Sequence, residues 1–439
     1  MVLDAVRRVR LRAAVQSSLW VLPAICTGVA ALAAFALMAF DRQADPARRL
    51  WGWEFAGNAA SAGTVLSTIA GSMITIAGTI YSLTIVALTL ASSQFAPRVL
   101  GSFIRDRVTK IVLGFFVATF TYSLLVLRAL RDDFVPSTAV GVAIILALIS
   151  VGLLIYFINH IFHGIQISTI LAHVAQQTAH QIDLLYPQPW RAGDRPESPR
   201  AVAPADAAVV SAQRSGYLQF VDHHALLHWA TAAGATVYEE RSVGAFVIAG
   251  TPLLRITPMT ALAAAPPLRL ERAFLLGRVP TIEQDIAFGI RQLVDVALKA
   301  ISPAVNDPTT AVNCLDHLGA VLAHMARRRM PERDLSDAQG CVRVLVPERT
   351  FHDLVRLAFD QIRHYGAGDH VIVVRMFDTL AAIGQITPNP LYRAALREYL
   401  EHTADFSQLQ IHDPYEQQVI VRHLLRVRLA LGAAGSAAP

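Results

Sequence analysis

The chain has 439 residues, 54% of them hydrophobic and only 16% charged, with a formal charge of +5. A soluble chain of this size carries about 25% charged residues, and the deficit here is local: long uncharged runs crowd the first third, and ordinary composition returns after about Pro187. The basic residues are dispersed and almost all arginine, which excludes a nucleic-acid footprint. Cys26, Cys314 and Cys341 form no CxxC pair, which excludes a disulfide framework and a structural zinc site.

Four segments reach the ~20 apolar residues that a spanning helix needs: 17–40, 59–92, 111–127 and 137–161. Arg7, Arg8, Arg10 and Arg12 precede the first. Its apolar run is longer than the 7–15 residues of a signal-peptide core, and no small-x-small cleavage site follows, so it reads as an anchor. Basic residues orient spans toward the cytoplasm. The N-terminal arm carries those four arginines, and the loop between spans two and three carries Arg98, Arg105, Arg107 and Lys110. The opposite loops mix signs, so both termini are expected in the cytoplasm.

The second span holds the most informative pattern. Thr64, Thr68, Ser72, Thr75, Thr79, Ser82, Val86, Thr89 and Ser93 follow steps of three and four, close to the helical period, and form one stripe. Eight of the nine are hydroxylic. Opposite runs an apolar ridge of Ile69, Met73, Ile76, Ile80, Leu83, Ala87 and Leu90. Two readings stand at this point. Small and hydroxylic residues, with Gly63, Gly71 and Gly78 among them, let transmembrane helices pack closely. A hydroxyl-lined face also wets an aqueous path without burying a charge. A path needs several copies of a four-helix protomer around this span.

After the fourth span, helix is expected to continue through His173 to His180. His160 and His163 share a face there at i, i+3, but no third metal ligand falls at matching spacing, so no metal site is expected. A Pro- and Arg-containing linker at 187–206 follows. Ser215–Asp222 reads as a strand ending at a helix cap, and Val243–Ile256 as two strands joined by a Gly-Thr-Pro turn. The G-x-F-V-x-x-G-x-P-L wording resembles barrel-sandwich carriers of the lipoyl type, yet the stretch has no lysine to carry a lipoyl group. A small β-module at 207–268 is the expectation.

From about Glu271 the chain reads as helical. Thr281 and Gln284 have capping-box spacing, and Asp307 followed by Pro308 opens the next helix. Asp285, Gln292, Asp295, Ser302, Asn306, Asp307, Thr310 and Asn313 concentrate polar groups on this helical pair. They read either as a capped, solvated corner or as a site for an effector or for coupling. Cys314 and His317 also fit a nucleophile pair, though weakly. Helices are expected on to residue 432, broken at Pro388-Asn389-Pro390, with a disordered tail at 433–439. No Walker loop, nucleophile elbow, HExxH or GxGxxG is present, so no enzyme activity and no cofactor are expected.

Three stretches carry a family resemblance: Gly71–Ser82 with Leu90–Arg98, Ser215–Asp222, and Ala300–Asn313. The chain resembles a functionally uncharacterised family of predicted bacterial polytopic membrane proteins. That resemblance implies a membrane α-helical domain (1–186) followed by a cytoplasmic α+β domain with a helical C-terminal part (269–432), in a bacterial inner membrane. It transfers no catalytic residue. The expectation is a homo-oligomeric ion channel lined by the second span. Arg98, Arg105, Arg107 and Lys110 at the cytoplasmic mouth tilt it weakly toward anions. In architecture alone it resembles bestrophin-like anion channels. The alternative is a membrane-anchored sensor or scaffold whose cytoplasmic corner binds a ligand or partner. Expected partners are the bilayer, further copies of the chain and inorganic ions.

Overall fold

The computed structural model describes Ser18 and residues 20–43, 55–94, 106–164, 166–191, 202–264, 270–330, 334–347 and 349–433. The chain forms two compact units that meet in sequence at Thr169–Ile170. Four helices in the first are long and apolar enough to cross a membrane: α1 (Val21–Gln43), α2 (Ala59–Gln94), α3 (Arg107–Ala129) and α4 (Ser137–Gly164). The sequence places all four, because an unbroken apolar run is a signal that needs no partner.

Within this unit α3 is the central element. It packs on α1, α2 and α4, and Phe116, Tyr122 and Val126 on it are fully enclosed. Gly114 lets α1 come close: a Cβ there would stand 3.1 Å from Pro23 Cα. Two polar side chains here reach across to α4. The Tyr122 hydroxyl donates to the Ala139 carbonyl (2.9 Å), and Asp41 accepts from the N–H groups of Thr138 (3.3 Å) and Ala139 (3.0 Å) at the start of α4. A hydrogen bond between groups that are dehydrated in any case is favoured over leaving either unmet.

The fourth span ends at Gly164, and α5 (Ile167–Leu185) begins afresh after it. The sequence groups this segment with the membrane part, but from Ile170 it belongs to the second unit. There α5 meets the later helix α7 (Ile286–Ala300) so closely that a Cβ on Gly289 would lie 2.0 Å from Thr178 Oγ1.

The second unit is α+β. Its strands are β1 (Ala208–Ser211), β2 (Gly216–Val221), β3 (Thr236–Glu239), β4 (Phe246–Val247), β5 (Pro252–Thr257), β6 (Phe274–Gly277), β7 (Asp334–Ser336) and β8 (Val342–Leu345). They form a five-stranded sheet of order β1-β5-β3-β8-β7 and a three-stranded sheet of order β4-β2-β6. Helix α6 (His223–Ala233), capped by Asp222 as the sequence indicates, packs Leu226 and Ala230 into the same apolar core as Leu218, Val237, Leu254 and Val344. Two expectations are corrected. The strands around Gly250-Thr251-Pro252 are no hairpin: β4 pairs with β2 and β5 with β1 and β3, and Gly250 at φ +85° turns the chain from one sheet to the other. The helical part does not start at Glu271, because β6 intervenes.

The remaining helices are α7, α8 (Pro308–Met325), α9 (Phe351–Gly366), α10 (His370–Ile386), α11 (Pro390–Gln410) and α12 (Pro414–Ala433). They enclose Leu293, Leu318, Leu322, Phe359, Phe377 and Leu380. Asn389 caps α11 between the two prolines, where the sequence places the break.

Candidate functional site

The stripe on α2 is uncovered by the described residues of the unit: Thr64, Thr68, Ser72, Thr75, Thr79, Ser82, Val86 and Thr89 all lie outside its packed interior. The side chain of Ser93, and Arg98 and Arg105, lie outside the described residues. The other side of α2 packs inward through Leu66, Ala70, Met73, Ala77, Ile80 and Ala87, with Ile69 and Ile76 half-buried. Leu83 and Leu90 from the expected ridge are exposed instead. The stripe therefore does not pack this protomer's own helices together. Of the two readings of the sequence, helix packing is thereby narrowed to packing against other copies, and the aqueous path stands beside it.

Lipid is a poor alternative neighbour for it. Exposed faces of the other spans carry large apolar side chains: Ile25, Val29, Leu32 and Phe35 on α1, and Leu148, Val151 and Ile155 on α4. Among the described residues, α2 alone turns a continuous row of hydroxyls outward, and Ile74, Tyr81 and Ile85 flank it. Nothing lies within 4 Å of a Cβ built on Gly71 or Gly78, so this face is also open to close approach by another helix. Most of the hydroxyls donate to carbonyls four residues back: Thr68 to Thr64 (2.8 Å), Ser72 to Thr68 (2.8 Å), Thr75 to Gly71 (2.8 Å) and Thr79 to Thr75 (3.1 Å). Their protons are satisfied along the helix, and their lone pairs face outward.

Of the expected basic mouth, Arg107 is exposed while Lys110 is only 5% exposed and so packs inside the unit. Beside them Asp106 caps α3 through the N–H groups of Val108 and Thr109 and accepts from His160 Nε2 (2.9 Å). His160 thus ties the end of α4 to the start of α3. Among the described residues no group of three metal ligands occurs.

The polar residues of the helical pair do not form one corner. Asp285 stands at the start of α7, whereas Ser302, Asn306, Asp307 and Thr310 stand past its end. Fifteen helical residues separate the two ends, about 22 Å at the helical rise. Gln292 is buried and Asp295 and Asn313 are half-buried along the pair. Past the end of α7, local capping accounts for the arrangement. Asp307 accepts from the Thr310 N–H (3.0 Å) and hydroxyl (2.6 Å), which hold its carboxyl below the ordinary range. Asn306 takes φ +48°, and the Ser302 hydroxyl donates to the Lys299 carbonyl (2.7 Å). Cys314 is fully enclosed and burial pushes its thiol up, which argues against a nucleophile there.

At the start of α7 the capping box is absent. Gln284 has φ +57°, and its amide bonds both the N–H (2.9 Å) and the carbonyl (3.2 Å) of Val221 on β2. Asp285 is the cap instead, accepting from Ala287 N (3.1 Å). Its carboxylate also pairs with Arg349 (3.1 Å) beside a cavity of about 220 Å³. No sequence signal marks Arg349 as its partner.

The family described as Predicted membrane protein (DUF2254) matches residues 16–382. The chain belongs to this family. Uncharacterized protein MT1328 of Mycobacterium tuberculosis (strain CDC 1551 / Oshkosh) is 35% identical over 394 residues, covering 88% of this chain and 75% of that protein. Uncharacterized protein Mb1321c of Mycobacterium bovis (strain ATCC BAA-935 / AF2122/97) matches with the same identity and coverage. No solved structure matches. The DUF2254 match takes in the four spans, both sheets and the helices as far as α10.

Asp285 yields a pH prediction for this DUF2254 protein. Burial pushes its carboxyl above the ordinary range, against the pull of Arg349. A raised native pKa means that the native state binds the proton more tightly than the unfolded chain. The stability it lends is present below the ordinary value of 3.8 and is lost as pH rises through the higher native value. Asp285→Asn keeps the cap and removes the buried charge. At pH 7 its thermal midpoint is expected at or above that of the parent, and the gain should vanish toward pH 4. A midpoint that falls at pH 7 would mean that the ion pair outweighs its desolvation.

Proposed function

We propose that the protein is a homo-oligomeric ion channel in which α2 of each protomer lines the path. The outward row of hydroxyls on α2, opposite a packed apolar face, carries this reading. The outer faces of α1 and α4 are mainly bulky apolar residues, whereas on α2 the exposed Ile74, Tyr81, Leu83, Ile85 and Leu90 run beside the hydroxyl row, and open small-residue positions at Gly71 and Gly78 suit a neighbouring copy. The proposed setting is a bacterial inner membrane with both termini, and hence the second unit, in the cytoplasm; the basic N-terminal arm supports it.

Substituted-cysteine labelling tests the lining. In a background with Cys26, Cys314 and Cys341 replaced, cysteine at Thr75 or Ser82 is expected to react with a membrane-impermeant thiol reagent. Cysteine at Ile76 or Ile80 is expected to stay protected. Equal protection at all four positions removes the pore. The weak anion preference rests on Arg107 with Arg98 and Arg105, and the outward lone pairs of the stripe oppose it. The reversal potential in a KCl gradient reports which prevails.

A second reading, a membrane-anchored sensor or scaffold, draws support from the cavity at Asp285 and Arg349.

A further inference from the structure

The cavity beside Asp285 gathers five parts of the chain that are distant in sequence. Leu185 and Tyr186 come from the end of α5, His223 from the start of α6, Ser242 and Val243 from the turn between β3 and β4, Gln284 to Ile286 from the start of α7, and Val346, Pro347 and Arg349 from the segment before α9. Its volume is about 220 Å³, enough for several waters. That leaves room for a compact molecule.

The ionisable groups at its wall fall into two ranks. Arg349 and His223 retain side-chain exposures of 34% and 28%. Their carboxylate partners are nearly enclosed, Asp285 at 7% on the same wall and Glu239 at 1% outside the lining, paired at 3.1 Å each. The Arg349 guanidinium is therefore the more exposed member of the ion pair on this wall, and the Asp285 carboxylate is already engaged by it and by the N-terminal turn of α7. A guanidinium has five N–H donors in a planar fork suited to carboxylate or phosphate oxygens, and the pairing with Asp285 fixes its position in advance. Val243, Ile286, Val346 and Leu354 make the rest of the wall apolar.

We propose that this cavity binds a small organic anion, its carboxylate or phosphate on Arg349 and His223 and its short apolar part against Val243, Ile286 and Leu354. The inference gives a ligand class to the sensor reading and does not require that α2 conducts. It also places the ligand against α5, the helix that the chain enters directly after the fourth span, so occupancy bears on the segment that joins the two units.

The test uses the full chain in nanodiscs of uncharged lipid, titrated calorimetrically with butyrate, butyl phosphate, inorganic phosphate and butylammonium. Butyrate or butyl phosphate is expected to bind saturably at one site per protomer. Affinity should fall about tenfold or more in Arg349→Gln and in His223→Gln, and stay unchanged in Asn306→Ala. Two arginine and histidine variants are used so that misfolding of one, seen in its thermal midpoint, leaves the other to decide. The proposal is overturned if neither organic anion binds, if folded variants bind as the parent does, or if butylammonium binds equally well. Inorganic phosphate binding as tightly as butyl phosphate would overturn the apolar half. Each result is read without any current, so a silent α2 and an empty cavity are separate outcomes.

Discussion

Gly289→Ala is expected to lower the thermal midpoint of the protein more than any comparably small surface change. The Cβ would fall 2.0 Å from Thr178 Oγ1, and Thr178 has nowhere to retreat: it is fully enclosed and its hydroxyl donates to the Val174 carbonyl at 2.7 Å. Overpacking of this kind costs about 1–3 kcal/mol, or roughly 2–4 °C of midpoint per kcal/mol in a domain of this size. Thr178→Ala should relieve part of it, so the double variant loses less than the two single losses combined. Melting in detergent followed by tryptophan fluorescence measures both. Simple additivity would show that α5 and α7 do not press on each other here. The consequence reaches beyond stability. Because α5 follows the fourth span within three residues and its far end walls the cavity, loosening this seat should also weaken any coupling between ligand and membrane unit.

What the sequence reveals divides by range. Each span is visible because a membrane helix satisfies its own backbone and needs only an uninterrupted apolar run. The Asp307 cap is visible because donor and acceptor lie three residues apart. Strands β2, β4 and β5 are visible through the turn residues that bound them, but how the strands pair is hidden, because they run two to six residues, too short for alternation to declare itself, and β8 reaches β3 across both α7 and α8. Gln284 fits a capping box locally, but its amide is claimed by Val221, 63 residues earlier. The Asp285–Arg349 pair spans 64 residues. At the candidate sites, then, sequence gives the α2 stripe as a period and leaves open which side it faces. It gives the cavity as scattered polar residues and conceals which of them meet.

Ser82→Leu is expected to abolish unitary currents of the purified protein in planar bilayers while its oligomer, sized in detergent, persists. Ser82 is exposed on the stripe, so leucine there disturbs no packing within the protomer, unlike a change at Ile80, which is 1% exposed. In a ring of copies each protomer would add one isobutyl group at the same level. A narrow apolar collar excludes water even where it leaves physical space, and ions do not cross a dry segment. Ser82→Thr keeps the hydroxyl and should keep the current. Leu148→Ile, on the apolar outer face of α4, should leave it unchanged. If Ser82→Leu conducts as the parent does, the path is not lined by α2. If the parent itself is silent across voltage, tension and the common ions, an exposed hydroxyl row must serve contact between copies alone, and the cavity at Arg349 becomes the protein's working site.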